Sequence, residues 1–447
     1  VIEHFEKQTS VISQLSFSLT SDQKKAIDEI SKDIISPFCM NRLLIGDVGC
    51  GKTIVAFLTA CTVMENGFQA AMMAPTELLA NQHYNIAEKY LKPAGFSVAI
   101  LHSGVSKAYR NETLKLLKEG KINFVVGTHS IFQENVEFHS LAYVIIDEQH
   151  RFGINQRMEF VKKGINPDIL VMSATPIPRT LSLTVFGDLD ITRIIEKPAG
   201  RQNVTTKILT ENKLSDVFSH IKVETKLGHK AYIVYPIIDE SDKTDLKPVV
   251  KMYDEIKNDY LKDVPCDIVH GRIYSETKEE ILKNFLDGKI SVLFSTTVIE
   301  VGVDVPDATI MVIENAHRYG LSTLHQLRGR IGRSNLPSTC YLIIPENVED
   351  ETMKRLKIIE NNNDGFFIAE EDLKMRGPGE FLGKRQSGVL PLRLASLSSD
   401  TELLYQCREE AFNILKEDPK LEKPKNLVLR NGIYKKFTSE YKDFILN

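Results

Sequence analysis

Short apolar runs alternate with longer amphipathic stretches along most of this chain. In the first half the runs read RLLI, QAAMMAP, SVAILH, INFVVG, AYVIID and DILVMSA, and in the second TTKIL, KAYIVYP, CDIVH, ISVLFS, TIMVIE and CYLII. Runs of this length bounded by turn residues fit buried strands, and the stretches between them fit helices. Such alternation predicts parallel sheets wrapped by helices, with ligands beyond the carboxyl ends of the strands. Lys197-Pro198-Ala199-Gly200 punctuates the series, because proline and glycine interrupt regular structure. The expectation is an α/β protein: a linker or helix remnant over 1–16, a first lobe over 17–198, a second over 199–345, and a mostly helical segment over 346–447. Asp239 to Lys247 is polar and predicts a surface loop, and Glu346 to Asn361 predicts a helix. Glycines at 377, 379, 383 and 388 predict a basic loop rather than a long helix in FFIAEEDLKMRGPGEFLGKRQSG.

One strand-to-helix junction carries chemistry. RLLIGDVGCGKT, from Arg42 to Thr53, contains the spacing G-x-x-x-x-G-K-[ST]. Its loop of Gly46, Asp47, Val48, Gly49, Cys50 and Gly51 lets backbone N–H groups turn inward around phosphate oxygens. The helix beginning near Ile54 adds the positive end of its dipole. Lys52 supplies a point charge for the outer phosphates, and the Thr53 hydroxyl is a natural Mg²⁺ ligand. The strand AYVIID ends in Asp147 followed by Glu148. Beside a triphosphate, Asp147 can hold the metal and Glu148 can deprotonate the attacking water.

Upstream, Thr20 or Ser21 caps a helix with Ala26, Ile27 and Ile30 on one face. Gln23 lies one turn in. By itself it reads as a solvated helix residue; its place ahead of the glycine loop favours contact with an adenine edge, with Phe17 covering the ring. In QLRGRIGRS, Arg330 and Arg333 fall on one helical face. They read as a solvated basic helix, as one touching nucleic-acid phosphates, or as groups reaching the γ-phosphate across a cleft.

Composition narrows little. The 447 residues are 42% apolar and 26% charged with a formal net charge of −4, which is ordinary for a globular protein and silent on partners. The six cysteines are scattered, without metal-binding or disulfide-framework spacing. No apolar run approaches a membrane span, so a reducing, cytoplasmic setting is the expectation. The chain begins at Val1 without a methionine, which fits a piece of something longer.

Together the strings resemble the helicases and translocases of superfamily two, from about Phe17 to Gln386. GDVGCGKT resembles motif I, APTELLANQ motif Ia, GTH motif Ic, DEQH motif II, SAT motif III, STTVIEVGVDVPDA motif V and QLRGRIGR motif VI. SATPIPRTL and HRYGLSTLHQLRGRIGRS narrow the resemblance to RecG-type branch-migration helicases and the transcription-repair coupling factor. EEDLKMRGPGEFLGKRQSG resembles the translocation motif of those two, with Arg376 and Gln386 at its coupling positions. The RecG type is the closer resemblance, with the coupling-factor translocase as the alternative.

The resemblance implies two RecA-like lobes and a set of roles. Gln23 would read adenine; Lys52, Thr53, Asp147 and Glu148 would serve ATP and Mg²⁺. Gln149 and His150 would link ATP state to Ser173 and Thr175, while Gly302, Asp304, Arg330 and Arg333 would close the cleft from the second lobe. Pro75, Thr76, Gly127, Thr128 and Thr297 would touch DNA phosphates. Two positions depart from the family pattern: Cys50 stands where serine is usual, and His102-Ser103-Gly104 replaces Thr-Gly-Ser. Residues 1 to 16 contain nothing that could form the family's N-terminal wedge domain, so the expectation is the motor without its wedge. It would act as a monomer on branched or duplex DNA in the bacterial cytoplasm, associated with the nucleoid. Competing readings are a DNA-binding adaptor that uses ATP as a conformational ligand, and a motor with a protein substrate.

Overall fold

The computed structural model describes residues 6–133, 135–147, 166–176, 189–198, 202–236, 246–271, 273–296, 305–381 and 401–436. Its first lobe opens with α1 (Glu6–Ser13) and α2 (Ser21–Ile35), followed by β1 (Asn41–Gly46), α3 (Lys52–Glu65), β2 (Gln69–Met73), α4 (Glu77–Leu91), β3 (Val98–Leu101), α5 (Lys107–Lys118), β4 (Phe124–Gly127), β5 (Leu141–Asp147), β6 (Asp168–Ser173) and β7 (Asp190–Ile194). Among the described residues the strands form one parallel sheet in the order β3-β4-β2-β5-β6-β1-β7. Helix α3 is apolar around most of its circumference and is buried from Ile54 to Met64. A helix with no polar face has to sit inside the lobe. Phe57 of α3 meets Phe124 of β4 edge to face, with ring centroids 5.5 Å apart.

Helix α2 starts at a complete capping box: Thr20 accepts from the Gln23 N–H, and the Gln23 side chain accepts from the Thr20 N–H. Its apolar face of Ala26, Ile27, Ile30 and Ile34 is buried. Helix α1 also belongs to this packing. Val11 is buried, and Gln8 Nε2 donates 3.0 Å to Leu58 O on α3.

The second lobe contains β8 (Thr205–Thr210), α6 (Leu214–Lys226), β9 (Lys230–Tyr235), α7 (Leu246–Asp259), β10 (Cys266–Val269), α8 (Ser275–Leu286), β11 (Val292–Thr296), β12 (Ala308–Ile313), α9 (Leu321–Arg328) and β13 (Thr339–Ile344). Its described strands are again parallel, in the order β10-β11-β9-β12-β13-β8. α10 (Asp350–Asn361) and α11 (Gly365–Phe381) follow, then α12 (Thr401–Glu417) and α13 (Leu427–Lys436). Both sheets belong to one compact unit, drawn from Val1–Ile177 and Leu189–Asp372; a second unit is drawn from Pro178–Asp188 and Leu373–Asn447. Within that second unit Asp418 binds the turn between α12 and α13, accepting from Glu422 N, Lys423 N and Asn426 Nδ2.

Two elements differ from the sequence expectation. Strand β7 escapes the hydrophobic pattern because DITRI is polar at Asp190, Thr192 and Arg193; it is the edge strand beside β1, aligning Ile194 with Gly46. Helix α11 runs through Gly377, Pro378 and Gly379, where a loop was expected. Ile368 and Ala369 bury an apolar face early in the helix, and Ser322 of α9 donates 2.9 Å to Asp372. Anchoring over the first two turns outweighs the breakers, although the proline forfeits one i→i−4 hydrogen bond near the helix end.

Glu314 follows β12 and is 3% exposed, with its Oε1 lacking a hydrogen-bond partner among the described residues. Burial and the nearby Glu211 push its pKa up to about 7. A raised carboxyl favours the folded state while protonated, so its contribution is complete below the unfolded pKa and is lost as pH rises through about 7. Between pH 5 and 8 the wild type should lose unfolding free energy relative to Glu314→Gln, on the order of 3 kcal/mol. Urea melts of both proteins across that range check this.

Candidate active site

Neighbouring strands of the first sheet end together at Gly46 of β1, Ser173 of β6 and Asp147 of β5, with Ile45 opposite Ser173 and Met172 opposite Asp147. Parallel strands put their carboxyl ends on one side, which is why residues distant in sequence share this edge. Between Gly46 and α3 the loop turns through Gly49 and Gly51, whose φ values of 74° and 86° lie in the left-handed region. At Gly51 a side chain would also collide with Gln23 Nε2. The Lys52 ammonium is buried and donates to Gly46 O at 2.7 Å and Asp47 O at 3.0 Å. Cys50 is fully buried, so a small residue is what this position requires.

Gln23 is 1% exposed and ties α2 to the loop: Nε2 donates 2.8 Å to Cys50 O. Before α2 lies a cavity of about 440 Å³ lined by Phe17, Leu19 and Lys24, with Ile12 and Leu15. On β6, Ser173 Oγ and Thr175 Oγ1 are 2.6 Å apart. On β5, Asp147 Oδ2 is 2.8 Å from Nε2 of His83, a buried residue of α4. Thr53 and Asp147 offer a hydroxyl and a carboxylate, hard oxygen donors of the kind Mg²⁺ takes.

The other half of the edge, β2, β4 and β3, carries the residues expected to touch DNA. Thr76 caps α4, accepting from Leu79 N at 3.3 Å. Gly127 ends β4, where a side chain would collide with the Leu101 carbonyl, and Thr128 Oγ1 lies 3.3 Å from Ser130 Oγ. Glu77 holds the loop after β3: it accepts from Ser103 Oγ and lies 3.0 Å from His102 Nδ1. Burial and the nearby Glu77 carboxylate raise the pKa of Glu279 on α8 of the second lobe.

The glycine loop also meets the second lobe. Asp47 Oδ1 lies 2.7 Å from His325 Nε2, with both residues at least nine-tenths buried. His325 Nδ1 lies 3.1 Å from Arg328 Nη2. A guanidinium can only donate, so Nδ1 accepts and the ring proton sits on Nε2, directed at Asp47. Arg328 further donates to Thr206 Oγ1, to Ile359 O at 2.6 Å and to Asn362 O at 2.8 Å, where α10 ends. Burial alone would raise the Asp47 pKa; the His325 hydrogen bond, Lys197 at 3.5 Å and the Val48 N–H hold it far below the usual carboxylate range. Gly329 packs on Val48, and a side chain at Gly365 would collide with His325. Arg330 is buried; it and Arg333 both lie close enough to act on the Tyr232 phenol, whose pKa burial pushes up.

Three family models match the chain. The DEAD/DEAH box helicase model matches residues 20–184, the helicase conserved C-terminal domain 212–335, and the C-terminal part of domain 3 of ATP-dependent DNA helicase RecG 362–441. ATP-dependent DNA helicase RecG of Aquifex aeolicus is 48% identical over 424 residues, covering 93% of this chain and 53% of that protein. RecG of Borreliella burgdorferi is 48% identical over 400 residues, covering 90% and 58%. The structure of RecG bound to a three-way DNA junction matches with a TM-score of 0.77 at 42% identity, covering 90% of this chain and 52% of that one. This chain belongs to the RecG helicase family. It spans about half the length of the curated RecG relatives it matches. Similarity to the fold of S. cerevisiae Dbp5 bound to RNA and ADP BeF3, at a TM-score of 0.56 and 15% identity, places the paired sheets among RecA-like lobes.

Glu148, Gln149, His150, Thr297, Gly302, Asp304 and Gln386 lie outside the described residues, as does the side chain of Arg376. His83, His325 and Arg328 escaped the sequence reading. A histidine three residues before an arginine on one helix face is a usable sign for His325, because i and i+3 side chains meet. Nothing local to His83 identifies Asp147 as its partner. Replacing His325 by Ala leaves the Asp47 carboxylate buried without its main donor, which should cost about 2–3 kcal/mol with Lys197 and Val48 still in place. Adding Asp47→Asn should recover part of that loss. A double-mutant cycle from denaturant melts should return a coupling of at least about 1 kcal/mol.

Proposed function

We propose that this chain is an ATP-driven motor that moves along duplex DNA at branch points, with both lobes contributing to one nucleotide site. The observation that carries the reading is the line Asp47–His325–Arg328, which joins the glycine loop to the end of α10. Just beyond, α11 carries Arg376, the expected coupling residue. Lys52 and the loop N–H groups bind the phosphates, while Phe17 and Gln23 flank the base. Thr53 and Asp147 would hold Mg²⁺, which when bound neutralises phosphate charge and favours attack by water. Glu148 takes the proton of that water, and Arg330 and Arg333 stabilise charge developing on the γ-phosphate. Such an arginine contributes about 10³ to 10⁵ in rate.

Pro75, Thr76, Gly127, Thr128 and Thr297 grip phosphates through N–H and hydroxyl groups. Contacts of this kind carry no sequence information, which suits a motor stepping along any sequence. Rearrangement at the glycine loop then passes through His325 and Arg328 to the α10–α11 turn, and Arg376 with Gln386 transmits it to the duplex. A branched substrate is supported by the similar RecG structure, which is bound to a three-way DNA junction. The working unit proposed is a monomer in the bacterial cytoplasm.

Phosphate release on single strands, plain duplex and three- or four-way junctions tests the reading. Junctions should stimulate most, and the stimulation should fall steeply with salt. Lys52→Ala should abolish turnover while leaving the fold intact; unchanged turnover would remove the site assignment. Arg376→Ala should keep DNA-stimulated hydrolysis but stop branch migration, and loss of both would make the α11 segment structural.

A further inference from the structure

We propose that His83 is a positioning residue that orients the Asp147 carboxylate for the metal and links that orientation to the duplex-gripping end of α4. The inference rests on the reading of Asp147 as a Mg²⁺-holding group. His83 is 6% exposed and its Nε2 lies 2.8 Å from Asp147 Oδ2. A carboxylate only accepts, so Nε2 carries a proton and directs it at Asp147. The other ring nitrogen, Nδ1, is buried without a hydrogen-bond partner among the described residues. A buried polar atom without a partner destabilises the fold, which an apolar residue of similar size would avoid. What the imidazole contributes in return is the bond to Asp147.

One hydrogen bond to one carboxylate oxygen restricts rotation of the whole group, as outer-shell partners do for metal ligands. The placement of α4 adds a second consequence. The helix begins at the Thr76 cap, among the residues expected to grip phosphate, and reaches His83 about two turns later, roughly 10 Å along a rigid rod. A shift of α4 when its first turn engages a duplex moves His83 with it. The carboxylate turns accordingly, so one helix reports DNA engagement to the metal side of the site.

The test uses the whole chain and Mn²⁺ as the probe, with affinity read by electron paramagnetic resonance in the presence of a non-hydrolysable ATP analogue. His83→Leu and His83→Asn should weaken Mn²⁺ about 10- to 100-fold, and His83→Gln, whose amide nitrogen reaches the place of Nε2, should stay within about threefold of wild type. Weakening by Gln as great as that by Leu, or no weakening by any of the three, overturns the proposal. Asp147→Asn separates the two layers: if it binds Mn²⁺ like wild type, the reading of the site itself falls. If it loses Mn²⁺ while the His83 variants do not, only the positioning role falls. Nitrogen NMR of the metal-free protein gives a readout independent of turnover. His83 should carry a proton on Nε2, and its ring shifts should move when duplex DNA is added; an unprotonated Nε2 or shifts indifferent to duplex overturn the proposal.

Discussion

A carboxylate buried between two lobes needs donors and a countercharge around it, and Asp47 meets that demand with the His325 hydrogen bond and the Lys197 ammonium. Desolvating a charge costs several kcal/mol, so the glycine loop and α9 are held together by the need to keep Asp47 bonded. Much of the interface follows. Gly329 is without a side chain where Val48 approaches, and Gly365 where His325 stands. Arg328, behind His325, fixes the imidazole tautomer while closing the end of α10. The glycine loop is thus packed as one piece with the second lobe and α10.

In the proposed reading, the same edge of the first sheet is divided between two tasks. Strands β5, β6 and β1 present the groups suited to a nucleotide, and β3, β4 and β2 those suited to a phosphate backbone. Adjacent strands lie about 4.8 Å apart, so two chemistries sharing an edge have no need of a distant relay. Helix α4 spans the division, with Thr76 at its start and His83 against Asp147.

The parallel-strand alternation was legible because buried strands are continuous apolar runs, and all the runs named from sequence correspond to strands. Strand β7 was not: an edge strand with Asp190 and Arg193 has no apolar run to betray it. The proline and glycines near the end of α11 pointed to a loop, and anchoring of the helix start against α9 overrode them. The glycine loop and Asp147 stood out because their chemistry is local in sequence. His325 and His83 did not, since each acquires its partner only through folding, across 278 and 64 residues.

The segment leading out of the first sheet is stitched to the start of α2. Asp22 accepts from the N–H groups of Ile195 and Glu196, while Glu196 accepts from those of Ser21 and Asp22. Lys197 then bonds the Asn363 carbonyl and faces Asp47. That reciprocal clasp puts the fulcrum of any swing of the second lobe beside the glycine loop. Strand β3, five strand spacings from β1, is about 24 Å farther out. A slight rotation at the clasp is therefore magnified at β3, so the lever is longest on the side where the proposed nucleic-acid contacts lie.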